Sequence, residues 1–189
     1  MSTLNYLGTV LATAVIVANQ GEPLDRWHAA DRAIIRLDPD AFLQLPLSIR
    51  QELRRRRCTI PQSYEAAAAE GVISGRFHPT NEIDWAVLCS VDQESSILVF
   101  RGGSTKHIEA VRPPRPDFDY LQTMHDRISF SRAIRAVSET EVLRLAREDA
   151  EPAPKPPPIH DAIEDHFLGK ASTRYYWRAG KWVVIGGWN

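Results

Sequence analysis

Two neighbouring segments, IDWAVLC (Ile83–Cys89) and SSILVF (Ser95–Phe100), restrict the fold of this chain more than any others. Each is apolar at consecutive positions. A pleated strand therefore carries apolar side chains on both of its faces. Half-wet strands alternate; strands of this kind sit centrally in a sheet that is covered on two sides. The chain has 189 residues, 43% hydrophobic and 25% charged, which suits one domain, or one domain with an appendage, built around a real core. Its net charge of −1 supplies no global field for nucleic acid or an anionic membrane.

Around this pair the chain divides by pattern. Residues 1–20 read as a signal peptide. Leu7–Ala18 is an uncharged apolar run, too short to span a bilayer and suited to a secretory leader, with polar NQGE after it. Met1–Tyr6 contains no Lys or Arg, so a buried N-terminal element is the alternative. Residues 21–57 read as helical. Trp27, Ala30, Ile34 and Leu37 recur at helical steps, with Asp25 as cap and Asp38-Pro39 as stop. Leu45, Ile49 and Leu53 form the stripe of a second helix entered at Pro46.

Residues 58–150 read as a β-rich core with strands Val72–Phe77, Ile83–Cys89, Ser96–Arg101 and Ser129–Val137. RPPRPDFDY is read as a loop leading into a short helix through Leu121 and Met124. Ser138 caps a later helix, with Glu141 at capping-box spacing. Residues 151–158, EPAPKPPP, read as a stiff polyproline connector. Residues 159–189 end in a hairpin that joins the core, with its turn at Ala179-Gly180. That turn sets Trp177 opposite Trp182 and Tyr175 opposite Val184 on one face. The Trp pair is expected to pack on the core; the alternative is a ligand-binding aromatic platform, for which Tyr176, Arg178 and Lys181 on the other face are the candidate residues.

No catalytic residue is nominated. The sequence lacks Gly-x-Ser-x-Gly, the P-loop pattern and the dinucleotide fingerprint, and no cofactor is expected. Cys58 and Cys89 fit one disulfide in an exported chain, or two buried thiols in a reducing compartment. Neither has the spacing of a metal ligand, and no metal is expected. Arg54–Arg57 close a helix, complement its dipole and carry no interleaved aromatics, so no nucleic-acid partner is expected. In HDAIEDHF, helical spacing pairs Asp161 with Asp165 and His160 with Glu164, a set able to hold a divalent ion. His160 and His166 fall on different faces, and a solvated polar turn is the expectation.

SGRFHPTNEIDWAVL resembles the repeat of FG-GAP and related secreted adhesion propellers, with Gly75, Phe77, Asn81, Asp84 and AVL at matching places. Arg76 stands where that family has an acidic residue, and His78, Pro79 and Thr80 occupy its ligand-rich loop. Glu82 and Asp84 alone fall short of the six to eight oxygens calcium takes, so an ordinary hairpin turn is expected, with Asp84 bonding nearby amides. More widely, the order CTIPQ, DWAVLCS, SSILVF, FSRAI, PPPIHDAI and GKAS…YYW…GKW resembles a family of small, uncharacterised exported bacterial proteins. The resemblance implies a secreted or periplasmic location and a compact antiparallel fold, takes in both cysteines, and brings no activity.

The expected fold is α+β: a mainly antiparallel sheet with N-terminal helices and the C-terminal hairpin. The expected function is that of an exported, non-enzymatic protein binding another protein or a small ligand, with no stable membrane span after leader removal. Two other readings stand: a hydrolase of envelope polymers using acids such as Glu82, Asp84, Asp161 or Glu164, and a degenerate calcium-binding module.

Overall fold

The computed structural model describes residues 23–124, 126–148 and 152–187. The signal-peptide expectation over residues 1–20 lies outside them. In chain order they form α1 (Pro23–Arg32), β1 (Arg36–Leu37), α2 (Leu47–Arg55), β2 (Ile60–Pro61), β3 (Val72–Gly75) and β4 (Asp84–Val91). Then come β5 (Glu94–Phe100), β6 (Ile108–Ala110), β7 (Arg115–Pro116), β8 (Leu121–Met124), β9 (Arg127–Phe130) and β10 (Arg132–Val137). The chain closes with α3 (Glu139–Glu148), β11 (Ala162–Phe167), β12 (Ala171–Arg178) and β13 (Lys181–Gly187). Every strand pairing is antiparallel, and the fold is α+β and mainly antiparallel sheet.

Two sheets carry the structure. One runs β3-β4-β5-β6, with β7 on the start of β5; the other runs β10-β11-β12-β13. The double-faced strands explain the layering. Ala86, Leu88, Ile97 and Val99 point from β4 and β5 toward the second sheet, where Ile134, Ile163 and Tyr175 meet them in a single core. Val87, Cys89, Leu98 and Phe100 point the opposite way, onto Ile49 and Leu53 of α2 with Phe42 and Leu45. The outer face of the second sheet is covered by α3, through Val142 against Val137, Ala162 and Tyr176. The order of layers is therefore α2, sheet, sheet, α3, and burial of apolar area on both sides of each sheet is the main stabilising term.

Several expectations are corrected. The C-terminal hairpin does not extend the Val72–Arg101 sheet; it joins β10 and β11 in a second one. The reason is β11. HDAIEDHF is neither a helix nor a solvated turn: Ala162–Phe167 is a strand, and His160, Glu164 and Asp165 are buried. Ser129–Val137 is not one strand but β9 and β10, divided at Ser131, whose N–H donates to the Tyr120 carbonyl and whose carbonyl accepts from Leu168 N–H. Leu121–Met124 is a strand of a hairpin with β9, not a helix. The first helix ends at Arg32, and Asp38 instead caps a 3-10 turn by accepting from Asp40 N–H.

Other features follow the sequence closely. Leu45, Ile49 and Leu53 are buried beneath α2. Ser138 Oγ accepts from Glu141 N–H, capping α3. The hairpin register is Trp177 to Trp182 and Tyr175 to Val184. No described helix is long and apolar enough to cross a membrane.

Candidate functional site

The strongest candidate is a cleft of about 490 Å³ between the β11–β12 end of the second sheet and the segment that runs through β7. Arg112, Arg115 and Tyr120 line one side; Asp165, Phe167, Ala171, Ser172 and Thr173 line the other. Its floor is built by a buried ion pair. Arg132, fully buried on the inner face of β10, sends Nε to Asp165 Oδ1 at 2.8 Å and NH2 to Oδ2 at 2.9 Å. Its NH1 crosses to the first sheet and donates to Ser95 Oγ at 2.7 Å and to the Ser95 carbonyl at 3.1 Å. The guanidinium lies 4.3 Å over the Tyr120 ring. Tyr120 in turn meets the Phe167 ring edge-on, centroids 5.7 Å apart.

The walls are placed by backbone. Arg115 pairs in register with Ser95 through β7, and prolines 113, 114 and 116 surround it, restricting its backbone. Its side chain is exposed and makes no hydrogen bond or ion pair with another described residue. Arg112 NH1 donates to Tyr175 Oη at 3.0 Å and has no carboxylate partner among the described residues. Tyr120 Oη and Thr173 Oγ1 likewise bond no other described residue. Burial raises the Tyr120 phenol above its ordinary pKa, with the charges of Arg132, Arg112 and Arg115 opposing it, so at neutral pH the hydroxyl is protonated and able to donate. Unspent hydrogen-bonding capacity from four side chains thus faces one space.

The residues singled out in the sequence fall elsewhere. Tyr176 is buried, stacked on His160 with ring centroids 4.0 Å apart, and its hydroxyl accepts from Ile159 N–H at 2.9 Å. Arg178 donates to the carbonyls of Lys155 and Pro156, which lays the proline connector along this side of the hairpin. Lys181 is exposed at the turn. The structure brings these three to the connector rather than to the cleft.

In the FG-GAP-like loop, Asp84 is buried and turned inward. Its Oδ1 accepts from Gly102 N–H at 2.8 Å; its Oδ2 accepts from His78 N–H at 3.0 Å and His78 Nδ1 at 2.9 Å. Burial pushes this carboxyl up, but the His78 ring, the two amides and the His78 charge outweigh it and hold the group below the usual carboxylate range. Both oxygens are taken by N–H donors, where a cation needs free lone pairs. Glu164 is also spoken for. It pairs with Arg174 Nε at 3.1 Å, Arg135 NH2 at 2.5 Å and His166 Nε2 at 2.8 Å. Burial raises its pKa, yet the His166 ring, the Ser172 hydroxyl and the Arg135 charge prevail and hold it at about 2.

The arginine run is matched locally: Arg54 pairs with Asp40, Arg55 and Arg56 with Glu52, and Arg57 with Asp92. Cys58, on the segment after α2, and Cys89, on β4, lie at disulfide-bonding distance, their Cα atoms 5.4 Å apart. Sequence reasoning missed the cleft because its walls come from segments about sixty residues apart in the chain, within the range of ordinary domain contacts. The one local signal was RPPRP, where prolines stiffen the backbone around two arginines. Comparison of the chain with known protein families, with curated proteins and with solved structures yields no match.

Proposed function

We propose that this chain is a non-enzymatic binding protein that acts outside the cytoplasm and takes a small ligand into the cleft between its two sheets. One observation carries the reading: Arg112, Arg115, Tyr120 and Thr173 converge on a space of about 490 Å³ with hydrogen-bonding capacity unspent. Sites for small ligands have this size and mix of apolar wall and few polar groups. The cysteine pair at bonding distance supports an oxidising compartment. Hydrolysis is less well supported. Glu164 is held ionised by its cationic neighbours and has no proton to give at neutral pH. Asp84 is consumed by three N–H donors, and Asp161 Oδ2 by the Arg76 amide at 2.8 Å.

A fragment screen of the full chain by amide NMR tests the binding reading. Hits are expected to move the amides of Arg112, Arg115, Tyr120 and Thr173 together. Hits that gather on Tyr176, Arg178 and Lys181 instead would sink it. Export is checked by cell fractionation with intact mass: a cytoplasmic chain that keeps Met1 contradicts it.

A further inference from the structure

We infer that the ligand of this cleft carries an oxyanion, a carboxylate or a phosphate ester, on a flat apolar body, with the anion held by Arg112 and Arg115. This rests on the cleft being the binding site proposed above.

Among the arginines near the cleft, Arg36 is matched by Asp117 at 2.8 Å and Arg132 by Asp165. Asp165 is thereby committed, each oxygen accepting from Arg132; Asp117 Oδ2 accepts from Arg36 and from Ser90 Oγ at 2.6 Å, and its Oδ1, buried without a hydrogen-bond partner among the described residues, lies outside the cleft lining. Arg112 and Arg115 are left with no carboxylate among the described residues. Lys170 adds a third positive charge nearby, its Nζ 4.5 Å from the centroid of the Phe167 ring.

Two guanidiniums and a protonated phenol make the cleft rich in donors and poor in acceptors. Guanidinium has five N–H donors and no acceptor. Two guanidiniums lining one cleft repel, and an anion bound there relieves that cost. A cation is repelled, and a neutral polyol meets donors without the negative charge that makes such bonds strong. The planar fork of Arg matches the geometry of carboxylate or phosphate oxygens. Opposite the arginines stand the Phe167 ring and Ala171, with the Tyr120 ring edge-on to Phe167, an apolar surface fit for a flat ring. The cleft, open to solvent, has room for a small molecule.

The test titrates the full chain, at low salt, with benzoate, phenyl phosphate, inorganic phosphate and benzyl alcohol, following cleft amides by NMR. Three variants accompany it: R115Q, R112Q and, as an equal change of charge on the hairpin, K181Q. Benzoate or phenyl phosphate is expected to bind at the cleft, the tighter of the two naming the anion. R115Q and R112Q are each expected to weaken it about tenfold or more, and K181Q to leave it unchanged. Arg115 is exposed, so R115Q should fold as the parent does and keeps the test decisive if R112Q does not. Benzyl alcohol moving the cleft amides as strongly as benzoate overturns the anion assignment while the cleft stands as a binding site. Equal weakening by K181Q and R115Q overturns it too, by showing only general charge screening. Inorganic phosphate binding as tightly as phenyl phosphate overturns the apolar body. If none of the four probes reaches the cleft, both this inference and the binding site fall.

Discussion

His78 Nδ1 donates to Asp84 Oδ2 across 2.9 Å, with both side chains buried beneath the C-terminal hairpin. The far ring nitrogen, Nε2, reaches Glu109 Oε2 at 3.3 Å, and the imidazole lies 4.7 Å from Trp177 and 5.7 Å from Trp182, centroid to centroid. The loop between β3 and β4 is thus pinned by hydrogen bonds to the first sheet and by aromatic contact to the second.

Asp84→Ala should be among the most damaging single changes in the protein. It strips acceptors from two amides and leaves His78 facing a void. Breaking a buried pair from one side typically costs about 3–5 kcal/mol, readable as a lowered urea midpoint. A loss within the range of an ordinary surface substitution contradicts the geometry.

Glu164 makes the protein sensitive to acid. Its folded pKa of about 2 lies below the ordinary 4.5, so its contribution is fully present above pH 4.5 and is lost as pH falls toward about 2. The upper bound is on the order of 3 kcal/mol. In Glu164→Gln that contribution is absent at every pH. The stability gap between parent and variant should therefore narrow on acidification, measured by denaturant titration across that window. A gap that stays constant or widens in acid rules the assignment out.

Arg132 and Asp165 should behave as a unit. Arg132→Met leaves Asp165 buried without its cation, at a cost of about 3–5 kcal/mol. Replacing both, Arg132→Met with Asp165→Leu, should recover most of that loss. A double variant as unstable as the sum of the single changes shows that the pair is not coupled.

Reduction should weaken the fold without abolishing it. Cys58 and Cys89 are 31 residues apart in sequence. Closing a loop of that length contributes about 2–4 kcal/mol, chiefly through the unfolded chain. Intact mass after alkylation, with and without reductant, reports the bond, and denaturation of the two forms reports its worth. Identical midpoints would show that the covalent link adds nothing to stability.

What could be read from the sequence was local. Ala86 to Cys89 and Ile97 to Phe100 announce strands covered on both faces because consecutive apolar residues leave neither side fit for water. The Ala179-Gly180 turn fixes the pairing of Trp177 with Trp182 because the turn sets the register. β11 was illegible for the opposite reason. Glu164 and Asp165 look like surface residues until Arg174, Arg135 and Arg132 arrive from ten to thirty-three positions away. The cleft shared that fate: Arg115 and Thr173 meet only once two sheets have formed, and no periodicity connects them.

The placement of Cys89 within bonding distance of Cys58 has a consequence for strand register. β4 points Leu88 and Cys89 to opposite sides, so a slip of one residue against β5 exchanges them. The misaligned strand then presents its sulfur to the wrong layer, out of reach of Cys58 and of any oxidant's help. A bond between Cys58 and Cys89 therefore requires the native register of β4 against β5.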